Sequence, residues 1–366
     1  MNHNRKSQYF YRIIKKIHDK KLQQRKIQHR LWRKNQNKSM QGFSASVRKY
    51  LIDQKKRFSD YCHITAPSHL SLIHNPDEVL QFIHQLSIAY NEHKKVYVKL
   101  RKVTSITNDA LVLLLSNVAQ FKAAHIPFNG NRPRDPEIEK IINDSGFFEI
   151  LYRKSKEDIV QTGYDLSHQD FFTHAQKNVD AELTANLILQ NSEFLWGEKR
   201  RCQGVQRIFI ELMQNTNNHA SHTVGDKYWW ISVSRRKNPN TICFSFIDYG
   251  MGIFGSLANK PSGDKFFGWV EKIKQICSPD KHYEVLKTML SGEFHNTVTN
   301  SYFRGKGIPG IYREFAKGSI HNLIIISNDT YGNVTTDDFR SLNNELTGTF
   351  VYFEVDKDCK NLKYNI

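Results

Sequence analysis

The sequence predicts an α/β protein in three parts: a basic helical arm and linker over 1–57, a small α/β domain over 58–165, and a larger α/β sandwich over 166–366 in which helices cover a mixed sheet. Three observations carry this expectation. Positive charge is concentrated at one end, helical and strand periodicities alternate through the middle, and the last part interleaves β-branched runs with helices and glycine-rich turns. At 366 residues the chain is long enough for two domains of ordinary size.

The net charge of +17 is uneven. Residues 1–57 hold 18 Lys and Arg against Asp19 and Asp53, whereas the remaining 35 basic and 34 acidic residues nearly cancel. Phe10, Ile13, Ile14 and Ile17 recur at helical spacing within the arm, and the polar stretch 35–46 reads as a linker. Such an arm could bind nucleic acid by neutralising phosphates, lie on an anionic membrane surface, or dock on protein. It carries no base-reading motif. Five scattered cysteines, odd in number and without a C-x-x-C pair, argue against a disulfide framework and a cysteine-based zinc site. With no signal peptide and no apolar window approaching the ~18 residues of a membrane span, a soluble cytoplasmic protein is expected.

In the middle part, helices are expected over 74–90, 108–124 and 136–148, with strands over 95–100 and 125–128. The segments VYVKLRKVTSITNDALVLLL (96–115), IPFNG (126–130) and IEKIINDSGFFEIL (138–151) resemble the STAS domain of anti-sigma-factor antagonists. That resemblance implies a docking or structural module, through which a protein partner could bind. The family's phospho-serine loop corresponds to Asn108 and Asp109, which cannot be phosphorylated, leaving Thr107 or Ser105 as the available hydroxyls.

Four motifs follow in order. IELMQNTNNHA (210–220) sets Glu211 and Asn215 one helical turn apart, so a carboxylate and an amide can share one pocket. TICFSFIDYGMGI (241–253) is a strand ending in Asp248, with Gly250 and Gly252 allowing a tight turn beside a ligand. RGKGIPGIYREFAKG (304–318) places Gly305, Gly307 and Gly310 at the start of a helix over 308–317, where backbone N–H groups bind phosphate and Lys306 can reach it. LTGTFVYFEV (346–355) enters a strand through Thr347 or Thr349. Taken singly, the first is compatible with an ordinary amphipathic helix and the second with a glycine-rich hairpin.

In this order the motifs resemble the N, G1, G2 and final boxes of the gyrase, chaperone, histidine-kinase and MutL (GHKL) ATPase superfamily. The resemblance implies a Bergerat-type fold binding ATP and Mg²⁺. Asn215 would ligate Mg²⁺, Glu211 would be the general base, and Asp248 would read the adenine amine. Gly305 to Gly310 would hold phosphates, and Thr349 would close the site. Residues 253–304 would form a helical lid, with helices near 266–276 and 283–290.

A slow Mg²⁺-dependent ATPase acting as a conformational switch is expected. The alternatives are a serine/threonine kinase of the anti-sigma type and a non-catalytic nucleotide-binding regulator. Homodimerisation is expected by analogy with the superfamily. No transition-metal site is expected around His219, His222 or His295. Without a phospho-acceptor motif in the helix at 181–196, an autophosphorylating sensor kinase is not expected either.

Overall fold

The computed structural model describes residues 56–145, 147, 171–176, 178–219, 229–258, 281–291 and 307–360, together with 23, 26, 27, 49 and 53. Met1–Asp60 and Tyr61–Ile366 are separate compact units. In the first, Gln23, Lys26, Ile27, Lys49, Asp53, Lys56 and Arg57 are helical, while the expected linker at 35–46 and the apolar positions Phe10 to Ile17 lie outside the described residues.

The second unit begins with β1 (Cys62–Thr65), β2 (His69–Leu70), α1 (Pro76–Asn91), β3 (Val96–Lys99), β4 (Ser105–Ile106), α2 (Asn108–Ala123), β5 (Phe128–Gly130) and α3 (Pro136–Asp144). Proline at the first turn of α1, with Asp77 and Glu78 beside it, suits a helix start. β1, β3 and β5 form one parallel sheet, and β2 pairs in parallel with β4. Ala110 through Leu115 of α2 are each 2% exposed or less. A helix apolar all round needs cover on every side.

Part of that cover comes from α1 and β5, and the rest from the second half of the unit. It contains β6 (Phe171–Gln176), α4 (Ala181–Trp196), α5 (Gln203–His219), β7 (Trp229–Arg236), β8 (Thr241–Asp248), α6 (Gly252–Ala258), α7 (His282–Ser291), α8 (Ile308–Ala316), β9 (His321–Asn333) and β10 (Asp338–Asp356). The five strands make a sheet of order β6-β7-β8-β10-β9. Every pairing described in it is antiparallel, which corrects the expected mixed sheet; among the described residues parallel pairing is confined to the two small sheets. Connectivity accounts for two of the four pairings. β7 to β8 and β9 to β10 are hairpins, which reverse direction, and a period-2 pattern carries no information about direction.

Alternation along each strand separates two apolar clusters. Trp229, Ile231, Phe244, Ile325, Val351 and Phe353 join α4, α5 and α8 in one. Trp230, Ile247, Ile324, Ile326, Phe350 and Tyr352 join the apolar residues of α1 and α2 in the other. The stretches 58–165 and 166–366 therefore share one core, and α2 packs on β7 and β8. Polar ties reinforce it. Arg340 on β10 meets Asp77 at 2.7 Å, and the Tyr331 hydroxyl donates to the Ile73 carbonyl at 3.3 Å. Among the described residues no helix is long and apolar enough to cross a membrane.

A shared core predicts shared unfolding. Leu115→Ala, at a fully buried position on α2, should destabilise the unit by about 3 kcal/mol. Circular dichroism and tryptophan fluorescence should shift together in a denaturant titration. Two separated transitions would refute the shared core.

Candidate functional site

Asp248 ends β8, and the chain then turns through Tyr249 and Gly250 into α6. Asp248 is 7% exposed, and its Oδ1 accepts the Gly250 N–H at 2.8 Å. Burial pushes it up to about 6, against the backbone N–H donors of Gly250 and Thr349, which favour the ionised form. Thr349 on β10 is the register partner of Asp248. Just before it, Gly348 has φ +107°, and a β-carbon there would overlap the Asp248 carbonyl oxygen. The glycine-threonine pair thus serves to bring β10 against the end of β8.

Ser327 and Asn328 on β9, which sequence reasoning missed, hold the other side of the turn. The fully buried Ser327 hydroxyl accepts the Ile253 N–H at 2.9 Å, donates to the Gly348 carbonyl at 3.0 Å and lies 3.2 Å from Thr349 Oγ1. Asn328, at φ +51°, donates to the Met251 carbonyl at 3.1 Å and accepts the Phe254 N–H at 3.4 Å. Its amide fills the space a β-carbon on Gly252 would need, and Gly252 itself has φ +71°. These two side chains fix the first turn of α6. Their local sequence, a Ser-Asn pair after an apolar run, looks like any strand end.

A second group forms where α5 meets α8. Glu211 and Asn215 lie one turn apart on α5, and Gly307 precedes the first turn of α8. The Gly307 N–H donates to Glu211 Oε2 at 2.7 Å, and a β-carbon on Gly307 would sit 3.5 Å from Asn215 Nδ2. A carboxylate therefore occupies a helix N-terminus, the position at which the macrodipole favours an anion. The Gly310 N–H turns inward to the Gly307 carbonyl at 2.9 Å. Gly305 and Lys306 lie outside the described residues. The two groups share an apolar cluster containing Met213 of α5, Ile253 of α6 and Ile308 of α8.

The turn after Asp248 also touches the first half of the unit. The Tyr249 hydroxyl hydrogen-bonds to Ser116 on α2, and burial pushes the phenol well above its ordinary value. The hydroxyl of Thr107 is engaged with the Leu70 carbonyl at 3.1 Å, and the buried Asp109 carboxylate accepts the Leu72 N–H at 2.6 Å. The loop leading into α2 is thus held to β2 and the residues following it.

Within the expected lid, α6 and α7 are helical, and the helix expected near 266–276 lies outside the described residues, as do His222 and His295. His282 of α7 stacks on Phe254 at 4.3 Å and meets Asp329 at 2.7 Å, so α7 is fastened to the Asp248 turn.

Gly348→Ala should displace the end of β8 and cost on the order of 3 kcal/mol, from overlap plus an unfavourable φ. Chemical denaturation measures this, and a change below about 0.5 kcal/mol would show that the close approach is not needed. Comparison with models of known protein families found no match, and comparisons with curated proteins and with solved structures found no significant similarity.

Proposed function

We propose that the region between Asp248 and Gly307 binds ATP with Mg²⁺, and that slow hydrolysis there makes the protein a nucleotide-driven switch, as its resemblance to the GHKL superfamily implies. The observation that carries the reading is the buried Asp248 carboxylate, hydrogen-bonded to the backbone N–H groups of Gly250 and Thr349. A carboxylate has about four lone-pair directions, so acceptor capacity remains for an exocyclic amine. Glu211, Asn215 and Gly307 supply the complementary polar end.

The residues present fit the ligands. Asn215 would offer its amide oxygen to Mg²⁺, which when bound neutralises phosphate charge. The Gly307 N–H and the start of α8 would face phosphate oxygens. Glu211, once it exchanges the Gly307 N–H for water, would accept the proton of that water. His282, Phe254 and Asn328 join α7 and α6 to the Asp248 turn, which is where a nucleotide-dependent movement would be felt. The basic arm would extend the switch to nucleic acid through phosphate contacts.

Calorimetry with Mg²⁺ and ATP, together with phosphate release, tests the proposal. Wild type should bind, Asp248→Asn should lose binding, and Glu211→Ala should bind without releasing phosphate. Absence of binding to folded wild type refutes the reading, and transfer of label to protein in place of phosphate release favours the kinase alternative.

Asp248 also gives a pH signature. Its folded value of about 6 lies above the ordinary aspartate value of 3.8, so the folded state holds the extra proton in that window. Its contribution to stability is therefore full below about 4 and is lost as pH rises through about 6. Affinity for ATP should move oppositely, weakening by up to roughly tenfold per pH unit below about 6 as the acceptor is protonated.

A further inference from the structure

We infer that His321, Asp356 and Cys359 form a zinc site at the end of the sheet opposite Asp248. His321 opens β9, Asp356 closes β10, and Cys359 follows in the next turn. Thr349 pairs with Asp248 and Asp356 pairs with Thr241, so the two ends are separated by about 24 Å of extended strand. The inference is independent of the nucleotide reading.

The donor set is chemically selective. One atom each from imidazole, carboxylate and thiol lie within 4.8 Å of one another, with His321 Nε2 3.2 Å from Asp356 Oδ1. Nitrogen, oxygen and sulfur together suit Zn²⁺, whereas Mg²⁺ and Ca²⁺ take oxygen alone. Bonds of about 2.0–2.3 Å imply ligand separations near ~3.5 Å, so contraction by about 1 Å would close the site. The movable members are His321 and Asp356, whose side chains are 40% and 28% exposed, while Cys359 is anchored in the core. Solvent reaches the first two, so water completes the tetrahedron.

Backbone donors already support the ligands. The Asp356 N–H donates to Cys359 Sγ at 3.3 Å, and the Asp358 N–H donates to Asp356 Oδ1 at 2.9 Å. Donors of this kind orient metal ligands and stabilise their charged forms. On binding, the thiol gives its proton to solvent and the sulfur lone pair to zinc. The site would clamp the far end of α8. Lys360 N–H donates to the Gly318 carbonyl at 2.7 Å, directly after the helix whose N-terminus holds Gly307.

The test uses the full chain made without a polyhistidine tag, stripped of metal, and titrated with Zn²⁺ against a chromophoric chelator. Co²⁺ is substituted in parallel. One zinc per chain and a thiolate-to-cobalt charge-transfer band are expected. Cys359→Ser should abolish the band and weaken zinc binding by more than roughly tenfold, whereas Cys243→Ser should change neither. His321→Ala leaves the core closed, so it keeps the test decisive if Cys359→Ser fails to fold; it should weaken zinc binding while retaining a thiolate band. Absence of stoichiometric zinc, a band that survives Cys359→Ser, or unchanged affinity in His321→Ala would each overturn the site.

Discussion

Burial of both faces of the sheet along β7 to β10 is the constraint on which the rest of the second unit depends. Antiparallel sheets commonly leave one face to water. Here the alternating residues of β7 to β10 enter two separate apolar clusters, one under α4, α5 and α8, the other under α1 and α2. A slip of one residue would exchange the two sets of side chains. Register is thereby secured, and with it the pairing of Thr349 with Asp248 and the passage of Gly348 over the Asp248 carbonyl. The turn that carries the candidate site is thus specified by packing on both sides of the sheet.

Buried carboxylates in this unit are held in contrasting ways. Glu354 is desolvated, but Arg236, Tyr352 and Asn322 outweigh that cost and hold it below the ordinary glutamate value. Glu314 gathers Arg207, Lys317 and Ser319. In both, cationic partners balance the charge where it stands. Asp248 rests on peptide N–H donors instead, and burial prevails. Asp109 is also raised by burial, yet it is a connector within the fold, engaged by Leu72 and Thr107. What separates Asp248 from Asp109, which sits in the first turn of α2, is position at a strand end beside two glycines.

Much of this was legible because local spacing encodes a face. The four-residue interval of Glu211 and Asn215, the D-x-G-x-G turn and the helix at Ile308 each emerge from short windows. Ser327 and Asn328 were not legible, since their partners at Ile253 and Phe254 are distant in sequence and come close only when α6 docks on β9. Strand direction, the edge strand β6 and the shared core were likewise hidden. Alternation at Trp229, Trp230 and Ile231 tells which residues point apart, and is silent about what covers each side. The cluster of His321, Asp356 and Cys359 escapes a spacing search for the same reason: hairpin pairing brings it together.

The order of synthesis gives the burial of α2 a further consequence. This helix, with its run Ala110 to Leu115 sealed on all sides, leaves the ribosome well before β7 and β8, on which it packs, and long before β10. At about 5–20 residues per second, the wait for β10 is on the order of ten seconds or more. During that interval the face of α2 destined for the sheet is an exposed apolar surface on a nascent chain. Productive folding of this protein therefore depends on keeping that surface apart from other chains, a demand on chaperones or translation rate that its finished core conceals.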